Sequence, residues 1–408
     1  MKTFTILTLI FVLSLQEGFC QWSFLNSGYP NVMLSDITQT PSGELFAVGT
    51  AVSGTNYTPI VFKSSTNGAS WDTIQIPPNG YFLQSVAFLN DRIGYIGIGG
   101  GAYMLQTLDS GNTWDYFYQN PSGTSINDIE VIDTLTAVAC GFGPSFYASG
   151  AAYKLTNQTH WASIAQSFPT TTLDDMQMLN QNDGYALSLF GKKVFHTANG
   201  GTTWTLIDSF PSTVEKMFWW NIDSGIAVGF NANYYRTSNG GFSWTRDSIA
   251  NHNDELTGVA FFDANNGYAC AAGGKLFSTT DGGNTWNIEP TITSLNFYNL
   301  EIHGGRAYAV GENGNIAVHE NPVGIFSNAQ KSEAAIFPNP ARDLISIRSS
   351  SVIEEILITD VSGRIVLDEN SIQGKYFVAN ISSLSDGIYF LRICGNEKAF
   401  TQKLIVRH

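Results

Sequence analysis

The sequence predicts an all-β chain of repeated four-strand units, followed by a second and smaller β module. Three observations carry this expectation. Gly is abundant (40 of 408 residues) and charged residues are sparse (13%) beside 43% hydrophobic residues, a balance that suits turn-rich sheets. A turn unit of the form S/T-x-D-x-G-x-S/T-W recurs, with its aromatic residue at Trp71, Trp114, Trp161, Trp204, Trp244 and Trp286. From Ala335 the texture changes to short alternating strands without that unit.

The turn unit has a physical logic. In Thr279 to Trp286 and Thr107 to Trp114, Asp281 and Asp109 are placed to accept hydrogen bonds from backbone N–H groups about two residues on, which closes a turn. Gly283 and Gly111 supply conformations that a Cβ would penalise. Trp286 and Trp114 open the next strand and pack inward. Thr197 to Trp204 uses Asn199 with Gly201, Thr237 to Trp244 uses Asn239 with Gly241, and Ser64 to Trp71 has Thr66 in the acidic place. Lys154 to Trp161 is degenerate and lacks the Gly. Asn and Thr cannot act as acid or base, so the unit reads as a structural corner rather than a catalytic one.

Between corners the pattern also repeats. An alternating strand such as Val259 to Phe262 is followed by a polar loop ending Gly-Tyr, a small-residue strand such as Ala269 to Ala272, and a third strand leading to the turn. Four short strands per repeat make one blade of a propeller. Seven first strands start near Ser35, Gln84, Asn127, Asp174, Glu215, Thr257 and Tyr298, which predicts a seven-bladed β-propeller. The seventh repeat has no Trp strand, whereas Gln21 to Leu25 resembles one without its turn, so the N-terminal segment is expected to complete the last blade and remove a free edge.

These units resemble Asp-box, or BNR, repeats. The ring they imply, over residues 21–322, resembles the propellers of the photosystem II assembly factor type and of sortilin-like and xyloglucanase-like proteins. Unrelated activities share the motif, so it speaks to fold and not to function.

Residues 323–334 read as a linker, and residues 335–408 as a small immunoglobulin-like β-sandwich with strands at Leu344 to Arg348, Glu355 to Thr359, Arg364 to Leu367, Gly387 to Ile393 and Gln402 to Val406. This module resembles the type A C-terminal sorting domain of the Bacteroidetes type IX secretion system. The matching pieces are F-P-N-P-A with Pro338, Asn339 and Pro340, D-V-S-G-R-I-V with Asp360 and Gly363, L-S-D-G-I-Y-F-L-R-I with Gly387 and Tyr389, and the basic ending from Lys403. Phe337 stands where the family more often has Tyr. The resemblance implies contact with the type IX secretion machinery, and a product that is secreted or attached to the outer-membrane surface. Residues 1–20 fit the first step, a Sec signal peptide: a basic Lys2, an apolar run from Phe4 to Leu15, and Gly18-Phe19-Cys20 before the expected cleavage. No other apolar run reaches the roughly 20 residues of a spanning helix.

The net charge of −14 argues against a nucleic-acid partner, whose phosphates need clustered Lys and Arg. Cys140, Cys270 and Cys394 are too scattered for a disulfide framework or a zinc site. The histidines are dispersed, no metal motif appears, and no cofactor is expected. A sialidase needs an Arg cluster to clamp a carboxylate, and Arg92, Arg236, Arg246 and Arg306 are spread along the repeats. A xyloglucanase-like hydrolase needs two carboxylates across a cleft, which composition alone does not exclude.

Aligning the repeats brings Asp36, Ser85, Asp128, Asp175, Lys216, Gly258 and Asn299 to one position early in each first strand. There they form a partly acidic ring near the channel mouth, and Asp36, Asp128, Asp175, Lys216 and Asn299 are candidate ligand contacts. On the same face the longer loops 50–59 and 142–151 carry Tyr57, Phe146 and Tyr147, which could stack on sugars or anchor a protein. The sequence favours a monomeric, non-enzymatic propeller that recognises a surface protein or polysaccharide, with glycoside hydrolysis as the alternative.

Overall fold

The computed structural model describes residues 22–54, 56–76, 82–100, 103–119, 125–143, 150–156, 160–164, 168–169, 172–320, 334–337, 341–342, 344–360, 364–395 and 398–407. The chain divides into two compact units, Met1–Gly324 and Ile325–His408. Among the described residues the first unit holds seven four-stranded antiparallel sheets and no helix beyond single 3-10 turns. No helix among them is long and apolar enough to cross a membrane.

Numbered along the chain, the sheets begin with the first strands Val32–Gln39, Phe82–Phe88, Ser125–Val131, Asp175–Met178, Val214–Trp219, Leu256–Phe261 and Phe297–His303. Each first strand touches its counterpart in the next sheet, and the seventh touches the first, so the unit is a closed β-propeller around these strands. Second strands are buried on both faces, as in Gly94–Gly99, Gly184–Ser188 and Gly225–Gly229, which explains their small-residue and β-branched runs. The outermost strand of the fifth sheet, Thr245–Ser248, is exposed throughout.

The core is divided among the spaces between neighbouring sheets. Phe46, Phe88 and Trp114 pack between sheets one and two, and Phe195 and Trp204 between three and four. Tyr185 stacks on Trp219 between four and five, with ring centroids 3.4 Å apart. Trp219 is therefore core. The seventh sheet is composite: Ser23–Asn26 pairs antiparallel with Asn315 to Val318 and supplies the missing outer strand. Trp22 just before it is 3% exposed and lies edge-on to Tyr268 at 5.2 Å, where the turn-unit Trp sits in other sheets.

Six first strands skip one residue of register: Ser35, Gln84, Asn127, Glu215, Thr257 and Tyr298 are the extra residues of β-bulges. Opposite four bulges stand Gly49, Gly141, Gly229 and Gly311. A Cβ there would lie 2.2, 1.7, 2.3 and 2.0 Å from the backbone carbonyl oxygens of Met33, Ser125, Thr213 and Asn296. The bent first strand leaves room only for glycine.

In the second unit the described strands Ala334–Phe337, Leu344–Asp360, Gly387–Gly395 and Lys398–Val406 lie in that order in one sheet, and Ile365–Asn380 pairs with Leu344–Asp360. The expected separate strands Leu344 to Arg348 and Glu355 to Thr359 are one continuous strand. Its first half pairs with Tyr376 to Asn380 and its second with Ile365 to Asn370, because an irregular register between Arg348 and Glu355 turns the strand without ending it. Ile345, Ile347, Ile356, Ile358, Leu391 and Leu404 form its own core.

Candidate functional site

The turn units show one geometry in five copies. Asp109 Oδ1 accepts the Thr113 N–H at 2.9 Å, Asp281 Oδ1 the Thr285 N–H at 2.9 Å, Asn199 Oδ1 the Thr203 N–H at 2.9 Å, Asn239 Oδ1 the Ser243 N–H at 3.1 Å, and Thr66 Oγ1 the Ser70 N–H at 2.9 Å. The hydroxyl opening each unit accepts the Gly N–H, as from Gly111 to Thr107 at 2.8 Å and from Gly283 to Thr279 at 3.0 Å. Slight burial opposes ionisation of Asp109 and Asp281. Hydrogen bonds from the following Thr and from the opening Thr outweigh it and hold both carboxyls below the usual range. Among the described residues these acids bond only within their own turn.

The aligned position behaves differently. The sequence places it at a channel rim, whereas the structure sets it in the channel wall: Ser85 is 2% exposed, Asn299 5% and Asp175 6%. Asp36, Asp128 and Asn299, each just after a bulge, and Asp175, in the sheet without one, turn toward the next sheet. Asp36 Oδ2 accepts the N–H of Val86 at 2.8 Å, Asp128 Oδ2 that of Met176 at 2.9 Å, and Asp175 Oδ2 that of Met217 at 2.9 Å. Asn299 donates to Asp36 Oδ1 at 2.9 Å and so joins the seventh sheet to the first. The bulged residues add a second clasp. Ser35 donates to the Leu83 carbonyl at 2.7 Å, Asn127 to Leu173 at 3.1 Å, and Thr257 to Phe297 at 2.8 Å. Three of the five candidate ligand contacts therefore spend an oxygen on the neighbouring backbone.

Lys216 Nζ lies 2.8 Å from Asp175 Oδ1. The charges of Asp128 and Glu301 also act on it, and together with Asp175 they hold its ammonium well above the usual range although burial works the other way. Burial pushes Asp36 up to about 7, aided by the charge of Glu301. Burial likewise pushes Asp128 up to about 7; Lys216 opposes this, and Asp175 and Asp36 add to it. Glu301 is raised to about 7 by burial against Lys216. Glu130 is pushed well above its range by burial and by the charges of Asp128 and Glu301. At the bulge of the fifth sheet, burial and a hydrogen-bonded Glu255 raise Glu215 to about 8.

Glu130 and Glu301 stand two residues beyond the aligned position, on the same strand face. Extending the alignment by that period would have found them. Nothing in the sequence announces the Glu215–Glu255 pair, which forms between sheets five and six.

The face where first strands begin carries exposed apolar side chains. The segment expected as a loop around Tyr57 is instead a long hairpin. Leu45–Ser53 and Asn56–Ser64 pair to their ends, with Val52 opposite Tyr57, because alternating Thr, Val and Tyr residues sustain the ladder. Tyr57 (40% exposed) packs on Phe82 (36%) of the second sheet, ring centroids 4.7 Å apart. Topology puts Met33, Phe190 and Phe230 at the same end, all exposed. Phe146 and Tyr147 lie outside the described residues.

The four arginines do not converge. Arg92 donates to the Leu108 carbonyl, Arg236 to the Asn284 side chain, Arg246 to Asn233 and Arg306 to Glu320. Among the described residues no group of three or more His, Cys, Asp or Glu is arranged to hold a metal ion. In the second unit Asp360 accepts the backbone N–H of Arg364 at 3.1 Å and its Nε at 3.0 Å. Tyr389 donates to the Ser385 carbonyl at 2.9 Å, Gly387 opens a strand, and Lys403 pairs in the last strand with Phe390. Pro338, Asn339, Pro340 and Gly363 lie outside the described residues.

No curated protein matches the chain in sequence. The first unit is similar in structure to YCF48 from Cyanidioschyzon merolae, at 16% identity and a TM-score of 0.59, with 74% of this chain and 98% of that one covered. YCF48 bound to D1 peptide gives a TM-score of 0.62 at the same identity and coverage. A catalytically inactive virginiamycin B lyase from Staphylococcus aureus, with quinupristin, gives 0.61 at 12% identity, with 74% and 99% covered. At such identities the likeness establishes the propeller fold alone. Residues 335–407 match the family of secretion system C-terminal sorting domains, which marks the protein as type IX cargo bound for the cell surface or the medium.

Proposed function

We propose that this protein is an exported recognition module: a seven-bladed Asp-box propeller, residues 21–322, joined by a linker to an immunoglobulin-like sorting sandwich, residues 335–408. A signal peptide, residues 1–20, starts its export. The propeller binds a surface protein or polysaccharide through the face where the first strands begin. One observation carries this reading, the Tyr57–Phe82 pair. Two aromatic rings 4.7 Å apart bridge sheets one and two, are more than a third exposed, and are fixed on paired strands rather than on loops. Rigid exposed aromatics make contact area at little entropic cost. The similar structure of YCF48 bound to D1 peptide supports the idea that a ring of this fold can serve protein recognition.

Cleavage is the second reading, and Glu215 favours it, since a carboxyl kept protonated up to about 8 is suited to general-acid work. Against it, the partner Glu255 is in hydrogen-bond contact, while glycosidases separate their two carboxyls by about 5–10 Å to admit sugar and water. The test is a glycan and surface-protein array probed with the wild type and with the double variant Tyr57→Ala/Phe82→Ala, alongside a reducing-sugar assay. The expected result is binding by the wild type that falls at least about tenfold in the double variant, or 1.4 kcal/mol, with unchanged melting. Sugar release that disappears in Glu215→Gln would replace the recognition reading with the hydrolytic one.

A further inference from the structure

We propose that the propeller channel is a pH-responsive clasp, in which Lys216 alone balances the carboxylates that tie neighbouring sheets, and that the ring loosens as pH rises from about 6.5 to 8. The geometry comes first. Asp36, Asp128 and Asp175 each hold an N–H of the next sheet, at Val86, Met176 and Met217. The side chains that clasp the sheets are therefore the same ones that repel one another across the channel. Glu130 and Glu301 add two more carboxyls two residues along the same strands, and Lys216, ion-paired to Asp175, is the one cation among the described residues that acts on this group. One ammonium cannot compensate five carboxylates in a buried wall, so some must hold protons at neutral pH.

Other titratable groups face the cluster and set the window. Asp174 on the fourth sheet is raised by burial, and Glu215 on the fifth is raised by burial and by Glu255 of the sixth. They act in the same direction as the channel acids. The second sheet contributes only Ser85 and Ala87. His303 on the seventh sheet acts oppositely, since burial lowers it to about 4 and its effect is confined below about pH 6.5. The buried thiols of Cys140 and Cys270 are raised, so they begin to matter only where an unfolded thiol ionises, above about pH 8. Between these limits, of the groups named here, only the carboxyls change their share. Each acid raised to about 7 keeps in the fold a proton that the unfolded chain lost near pH 4. Its stabilising share is therefore full below about pH 4 and is lost as pH rises through the folded value.

The experiment is thermal unfolding of the full chain from pH 6.5 to 8, with amide exchange at Val86, Met176 and Met217. Each carboxyl that titrates at about 7 in the fold should raise the unfolding constant about fourfold over this window, with the rise levelling off above about pH 7. Corrected exchange at those three amides should speed up, while that at Gly111 and Gly283 in the corner turns holds level. Glu301→Gln, which removes a charge but no bond to a neighbouring sheet's backbone, should flatten the pH dependence. Unfolding that does not change over this range would overturn the proposal. So would a slope that Glu301→Gln leaves intact, or exchange that rises equally at the corner turns.

Discussion

The corner carboxylates and the channel carboxylates are the same chemical group put to opposite uses. Asp109 and Asp281 sit near solvent within one turn, and hydrogen bonds from that turn hold them ionised. Asp36 and Asp128 sit in a wall among like charges and are pushed up to about 7. Each corner acid bonds only residues within four positions of it. Each channel acid reaches a residue about 50 positions away, at Val86 or Met176. A local device tolerates replacement copy by copy, while a shared one couples every sheet that contributes to it.

The largest expected effect tests that coupling. Lys216→Met removes the cation paired to Asp175 and leaves that buried carboxylate without its charge partner. Breaking a buried pair from one side costs about 3–5 kcal/mol. Urea unfolding at pH 8 should show this loss, and at pH 6 a smaller one, because more of the surrounding carboxyls are then neutral. A cost below about 1 kcal/mol at pH 8 would mean that water, rather than Lys216, carries the compensation.

How much of this was legible in the sequence follows from the same distinction. The corner motif is contiguous, so its Trp spacing gave the repeats, and the missing seventh copy pointed to Trp22 and the strand Ser23–Asn26. The first-strand starts identified from alignment include six of the bulged residues, because the alternation breaks there. The clasp was not legible. A bulge at Ser35 turns Asp36 toward Val86, and a strand pattern cannot say which way the residue after a bulge points. Repeat length alone places Tyr57 in a loop, and the ladder that instead extends this hairpin depends on pairing between Val52 and Tyr57. In the second unit the register irregularity within Leu344–Asp360 looks in sequence like a turn, which hides the continuity of the strand.

A smaller effect belongs to the corner. Asp281→Ala removes the acceptor of the Thr285 N–H and of the Thr279 and Thr285 hydroxyls. Water reaches this turn and replaces part of what is lost, so the expected cost is about 1–2 kcal/mol, by the same urea assay at pH 7. A loss as large as that of Lys216→Met would erase the distinction between the two regions.

Asp281→Asn should be nearly silent at pH 7, within about 0.5 kcal/mol, because Asn199 and Asn239 already perform the task. Their Oδ1 atoms take the N–H of Thr203 and Ser243, and their Nδ2 atoms donate at 2.9 Å to the hydroxyls that Asp281 accepts from in its own copy. The difference should appear in acid. The folded value of Asp281 lies below its ordinary 3.8, so its contribution is present above that value and lost as pH falls through the folded one. The Asn variant has no such group to protonate. Melting curves from pH 5 to 2 should therefore converge, with the wild type giving up the small advantage it holds at neutral pH. Parallel curves would mean that the charge of Asp281, and not only its shape, is irrelevant to the corner.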